Sequence, residues 1–178
     1  MAKRVRRPAI QFDGRDLVDS HGPHKPVRII LHDTESHDHA GVKDIQGICR
    51  YWKAQGRGYG AHVIVDSAGN SGLCVSAGHV AWHTGGRNTG SLGIEIIGFA
   101  KWPRAAWLRR LKQLHKVARW MAFYSKAYNI PLTKGINFGV STHQQQSKAF
   151  GGSHWDPGPG FPFDFVMRLA RTYKKVGW

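Results

Sequence analysis

The sequence predicts an α/β fold in which a central mixed β-sheet is flanked by α-helices. Three observations carry that expectation. Short apolar runs at 27–31, 61–66 and 91–98, each bounded by turn residues, have the length and composition of buried strands. Longer stretches at 42–55, 103–128 and 161–173 repeat their apolar residues at helical spacing. The two kinds of segment do not alternate strictly as strand, helix, strand, so the sheet is expected to be mixed rather than all parallel. A chain of 178 residues with 41% hydrophobic residues matches one domain with its own core, and no internal repeat or low-complexity linker calls for a second module.

Residues 1–26 are polar and basic, with H-G-P-H-K-P at 21–26, and read as an N-terminal arm or irregular lead-in. The remainder, 27–178, reads as the folded domain. V-R-I-I-L at 27–31 is a buried strand followed directly by His32, and D-T-E-S-H-D-H-A-G is a polar loop. Val42, Ile45, Ile48, Cys49 and Trp52 place one apolar stripe on a helix. Y-G-A-H-V-I-V-D forms a second strand ending at Asp66. S-A-G-N at 67–70 turns the chain, and 72–76 returns as the hairpin partner. S-L-G-I-E-I-I-G is a third strand. The longest helix is expected over 103–128, with Pro103 in its first turn and Trp107, Leu111, Leu114, Ala118, Met121 and Ala122 on one stripe. The segment 133–160 is Gly-rich and weakly patterned, and a loop of that length in a small domain is more often functional than idle. A final helix closes the chain over 161–173.

Lys and Arg number 26 against 11 Asp and Glu, a formal net charge of +15. A field of that size favours a polyanionic partner: nucleic acid, an anionic membrane or an acidic cell wall. Neither zinc-finger spacing nor an aromatic RNA-binding motif is present, so no specific nucleic-acid partner is expected. No run reaches the length of an apolar membrane span. M-A-K-R-V-R-R-P is basic but lacks a following apolar region, so the chain reads as made in the cytoplasm without a Sec-type signal peptide. The two cysteines, Cys49 and Cys74, have no C-x-x-C partner and read as buried thiols rather than a disulfide.

The chemistry concentrates in S-H-W-D-P-G-P-G-F-P at 153–162 and in two distant histidines. His32, His143 and Asp156 together supply two imidazoles and a carboxylate, enough for a catalytic zinc ion with one coordination position left to water. His154 lies two residues before Asp156 and would set a second polar group beside the ion. Glu95 is the one charge in L-G-I-E-I-I-G. It belongs either to an exposed edge or to a cleft, and in a cleft its raised pKa would suit it to general-base work. Trp82, His83 and Asn88, in A-W-H-T-G-G-R-N, offer stacking and hydrogen bonds to a sugar or peptide, although His83 is equally compatible with an ordinary loop histidine. His62 reads as structural.

Five segments occur in one order: I-I-L-H-D-T, G-A-H-V-I-V-D-S-A-G-N, A-W-H-T-G-G-R-N-T-G-S-L-G-I-E-I-I-G, T-H, and H-W-D-P-G-P-G-F-P. In this respect the chain, from about residue 27 to 173, resembles the type 2 N-acetylmuramoyl-L-alanine amidases, the zinc-dependent fold shared with peptidoglycan recognition proteins and phage endolysins. The resemblance implies that His32, His143 and Asp156 hold Zn2+, that Glu95 is the acid/base, and that His154 stands where many members carry a lysine. Ala61 stands where some phage amidases have a catalytic tyrosine, and Tyr59 lies two residues earlier in the wrong alternation to replace it. The implied activity is hydrolysis of the amide between N-acetylmuramic acid and L-alanine in bacterial peptidoglycan, by a monomer. A phage lysin would reach the wall through a holin or at lysis, with its charge drawing it to anionic wall polymers. The alternative is a non-catalytic peptidoglycan-binding module of the same fold.

Overall fold

The structure, a computed structural model, describes residues 4–18, 20–56 and 59–177. Its strands are β1 (Phe12–Asp13), β2 (His21–Pro23), β3 (Arg28–Asp33), β4 (Val63–Val65), β5 (Ser71–Leu73), β6 (His79–Val80), β7 (Ser91–Ile96) and β8 (Gly139–Thr142). Its helices are α1 (Val42–Gln55), α2 (Arg104–Leu108), α3 (Leu111–Ala127), α4 (His143–Phe150) and α5 (Phe163–Val176). Six strands form one sheet in the order β1-β5-β4-β7-β3-β8, and β2 pairs with β6 in a small second sheet. Among the described residues, only the β4–β5 hairpin is antiparallel within the large sheet. The expected mixed sheet with helices on both faces is therefore the observed architecture.

β3 and β7 are read as strands for the reason that buries them. Ile29, Leu31, Leu92, Ile94 and Ile96 enter one core with Trp107, Trp120, Met121 and Val166 from α2, α3 and α5. Ile64, on the opposite face of β4, packs with Ile45, Cys49 and Trp52 of α1. The helix predicted over 103–128 divides at Arg109–Arg110. There the Arg110 backbone leaves the helical region, its guanidinium pairs with Asp38 at 2.8 Å and it covers the Trp102 ring at 4.3 Å. Neither Gly nor Pro marks that break, so local propensity continues through it and a tertiary contact overrides it.

Two parts of the chain are more ordered than their composition implied. Residues 12–13 and 21–23, assigned from the sequence to a basic lead-in, form β1 and β2; residues 1–3 and 19 of that segment lie outside the described residues. The Gly-rich stretch 133–160 contains β8 and α4. β8 adds to the sheet edge beside β3, entered through Gly139 at φ +95, where a Cβ would sit 2.5 Å from the Thr133 carbonyl oxygen. α4 begins with a capping box: Thr142 Oγ1 accepts from Gln145 N–H at 3.2 Å and Gln145 Oε1 accepts from Thr142 N–H at 3.0 Å. Cys49 and Cys74 are free, buried thiols in contact across the α1–β5 packing. No helix among the described residues is long and apolar enough to cross a membrane.

Candidate functional site

β3 and β7 run parallel, and their register sets His32 directly beside Glu95 at the carboxyl ends of both strands. That end of an open α/β sheet is where side chains are free to gather around a ligand. β8, on the other side of β3, carries the chain to the same end and delivers His143 as the first residue of α4. Asp156 comes from the 151–162 loop, whose backbone is tied to α4 by a 2.9 Å bond from Gln144 N–H to the Asp156 carbonyl. Gly158 lets that loop lie against the chain at Ala100: a Cβ there would stand 1.9 Å from the Ala100 carbonyl oxygen, at a φ of +76.

The three predicted metal ligands converge. His32 Nδ1 lies 3.1 Å from His143 Nδ1 and 3.3 Å from Asp156 Oδ2, and His143 Nδ1 lies 3.1 Å from Asp156 Oδ1. A tetrahedral zinc site with bonds of about 2.0–2.1 Å separates its ligand atoms by about 3.3 Å, so these donors already form most of one face of such a tetrahedron. All three residues are buried. Burial pushes the His32 imidazole down, against the pull of Asp156, and keeps it neutral. Burial also pushes the Asp156 carboxyl up, but the adjoining His143 and His32 imidazoles outweigh it and hold the group well below the ordinary carboxylate range. Neutral imidazole and ionised carboxylate are the forms a divalent ion requires.

Glu95 faces this cluster rather than an exposed edge. It lines the same cleft, its Oε2 is buried without a hydrogen-bond partner, and burial, reinforced by Asp156 and Asp33, pushes its carboxyl well above the usual range. His154 stacks on His143 with ring centroids 4.0 Å apart and places its Nδ1 3.7 Å from Asp156 Oδ1 while staying largely exposed. The cleft has a volume of about 1000 Å³ and continues from the cluster over α1, past Lys43, Asp44, Gly47 and Tyr51. Those positions form one helix face, too polar to register as an apolar stripe.

The residues expected to hold substrate separate. Trp82 is half-buried and lines the cleft. His83 also borders it, but both ring nitrogens are engaged internally, at 2.9 Å to His32 Nε2 and 3.0 Å to Ser91 Oγ. Asn88 is turned into its own loop: its Oδ1 accepts from the backbone N–H groups of His83 and Thr84, both at 2.8 Å. Among the cleft residues that sequence reasoning left without a role, two stand beside the ligand cluster. Trp155, inside the S-H-W-D motif, is 47% exposed and lines the cleft beside His154. Asp33 ends β3 next to His32, with Oδ2 buried and unpartnered and its carboxyl pushed up to about 8 by burial, with help from Glu35 and Asp156. The motif itself signalled Trp155; nothing in the sequence distinguishes Asp33 from a loop aspartate.

A family model described as N-acetylmuramoyl-L-alanine amidase matches residues 22–159. No curated protein sequence matches the chain. Among solved structures, the chain is similar to the Staphylococcus aureus hydrolase AmiA in complex with its ligand, at 20% identity and a TM-score of 0.72, over 97% of this chain and 89% of that one. It is similar to the endolysin N-acetylmuramoyl-L-alanine amidase LysCS of Clostridium intestinale, at 18% identity and a TM-score of 0.66, over 94% and 99% of the two chains. Drosophila peptidoglycan recognition protein SD, at 18% identity and a TM-score of 0.60, aligns over 85% of this chain and 84% of that chain. These similarities establish a shared fold.

Proposed function

From the premise that the chain belongs to the N-acetylmuramoyl-L-alanine amidase family, we propose that it is a zinc-dependent hydrolase of the amide joining the lactyl group of N-acetylmuramic acid to L-alanine of the peptidoglycan stem peptide. The observation that carries this reading is the buried triangle of His32, His143 and Asp156 with Glu95 beside it at the head of a long cleft. A Zn2+ ion held by those three residues supplies Lewis-acid polarisation of the scissile carbonyl and lowers the pKa of water toward neutrality.

The chain's own side chains do the rest. Glu95, with an unpartnered oxygen facing the cleft, takes the proton of the attacking water and returns one to the departing L-alanine nitrogen. His154 donates an imidazole N–H to the oxygen on which charge develops. Its exposure leaves it free to reach substrate, and its stacking on His143 fixes its plane. Replacing His154 by alanine lowers turnover by about 10²-fold, the scale of one lost oxyanion donor, and leaves bound zinc unchanged in atomic absorption measurements. Zinc lost in step with activity would count against this role.

The rival reading is a binding module of the same fold. It is disfavoured because no member of the ligand and acid/base set is replaced by an apolar residue. Incubation with purified peptidoglycan decides between them: new N-terminal L-alanine without new reducing sugar ends identifies an amidase, and neither product identifies a binding module. We assign the chain the role of a phage endolysin that reaches the wall through a holin or at lysis, in keeping with its similarity to the Clostridium intestinale endolysin.

The positive charge supports attraction to anionic wall polymers. α3 carries Lys112, Lys116, Arg119 and Lys126 and no acidic residue, and α5, packed against it, carries Arg168, Arg171, Lys174 and Lys175 against Asp164 alone. Lysis of whole cells therefore falls as sodium chloride rises from about 50 to about 300 mM, over which the screening length shrinks about 2.5-fold, from about 14 Å to about 6 Å. Hydrolysis of a short soluble muropeptide changes little across the same range. Equal salt dependence on both substrates contradicts the polymer attraction.

A further inference from the structure

We propose that His83 is a positioning residue for the metal centre: it accepts the Nε2 proton of His32 and so fixes the tautomer and ring orientation that turn His32 Nδ1 toward the ion. The proposal rests on the zinc reading above and reassigns His83 from the substrate contact expected from the sequence.

A neutral imidazole carries one N–H. His32 Nδ1 is the atom facing His143 and Asp156, so it must present a lone pair to a metal and the proton must sit on Nε2. That nitrogen lies 2.9 Å from His83 Nδ1, with the two rings edge to face at 83°. His83 then accepts at Nδ1 and holds its own proton on Nε2, 3.0 Å from Ser91 Oγ. The serine hydroxyl in turn donates to the Asn88 carbonyl oxygen at 2.6 Å. Donors therefore run outward from the metal site through two neutral imidazoles and a hydroxyl to a backbone acceptor, and every group is satisfied. The opposite direction puts the His32 proton on Nδ1, inside the ligand triangle, where it blocks coordination.

The neighbouring histidines do not compete for these atoms. His62 accepts from Gly93 N–H at Nδ1 and donates from Nε2 to the His79 carbonyl, and His24 accepts from Gly90 N–H and donates to the Ala77 carbonyl. The surroundings hold His83 in place. Its backbone N–H is bound by Asn88, and Arg28 Nη2 clamps the same loop through the Arg87 and Thr89 carbonyls, both at 2.7 Å. Its ring lies against β7 at Gly93, where a Cβ would stand 2.8 Å from His83 Cγ and Nδ1. Metal-ligating histidines commonly donate to a carboxylate or carbonyl; an imidazole acceptor here orients the ligand without adding negative charge to the centre.

The test is zinc affinity by competition with a chromogenic chelator, together with the visible absorption of the Co2+-substituted protein, on the wild type and on His83→Ala, His83→Asn and Ser91→Ala. Asparagine places Oδ1 near the position of the imidazole Nδ1 and retains the acceptor. His83→Ala is expected to weaken zinc binding by about 10- to 100-fold and to alter the cobalt spectrum, the scale of a lost orienting partner. His83→Asn recovers most of the affinity and the wild-type spectrum, and Ser91→Ala gives a smaller loss of affinity. Equal zinc affinity in the alanine and asparagine variants, or an unchanged cobalt spectrum in His83→Ala, overturns the proposal. If His83→Ala does not fold, Ser91→Ala decides: wild-type affinity there overturns it. A wild type that binds no zinc removes the metal reading itself, a different failure.

Discussion

Replacing Glu95 by glutamine lowers turnover on peptidoglycan by about 10²–10⁴-fold while zinc content stays at one ion per chain. The substitution keeps size and shape and removes only the ability to take and return a proton. Glu95 sits on the β7 strand beside His32, so its backbone position does not depend on the carboxyl group. Its Oε2 has no hydrogen-bond partner to lose. Burial also makes the carboxylate costly in the zinc-free protein, because its folded-state pKa lies above the unfolded value. Wild-type stability is then lost as pH rises from the ordinary carboxylate range toward the raised folded pKa, and the glutamine variant escapes that loss. Thermal melts of the zinc-free proteins across this range show the melting temperature falling more steeply in the wild type than in the glutamine variant, which keeps only the contribution of other raised carboxyls such as Asp33. A variant with wild-type turnover would remove Glu95 from the chemistry.

Replacing His143 by alanine abolishes activity through the other half of the site. The side chain supplies one vertex of the ligand triangle, contacts both Asp156 oxygens at 3.1 and 3.3 Å, and supports the His154 ring. Its removal leaves one imidazole and one carboxylate, too few donors for a stable tetrahedral site. Bound zinc falls to background after dialysis, and activity falls to that of the chelator-treated wild type. Added zinc restores the chelated wild type and not the variant. The fold survives, since the α4 cap is made by Thr142 and Gln145 and does not involve the histidine. Circular dichroism of the variant matching the wild type verifies that point.

How much of this was legible in the sequence depends on what each residue reports. β3 and β7 were readable because their burial is written in short continuous apolar runs, and α1 because its apolar stripe from Val42 to Trp52 spans all but the last residues of the helix. The break between α2 and α3 was not, because the contacts of Arg110 with Asp38 and Trp102 span distant parts of the chain. β8 is short, lies at the sheet edge and draws its order from pairing with β3, so composition alone made it a loop. The capping box T-H-Q-Q was an available signal for α4 that glycine content obscured. In the site, Glu95 stood out as the one charge in an apolar strand, whereas His32, His143 and Asp156 were singled out by the ordered segments that resemble the amidase family; the fold brings all four side chains to one cleft. Asn88 and His83 illustrate the limit: a sequence shows that a polar residue stands near a site, while its partners decide whether it meets substrate or the protein.

The most direct measurement is anomalous diffraction at the zinc absorption edge from crystals grown with zinc supplied. One peak is expected at about 2.0–2.2 Å from His32 Nδ1, His143 Nδ1 and an Asp156 carboxylate oxygen, with the remaining vertex open toward Glu95 and the cleft. A peak elsewhere on the chain, or the two imidazoles and the carboxylate far apart with zinc present, contradicts the assignment of this cluster as the catalytic centre.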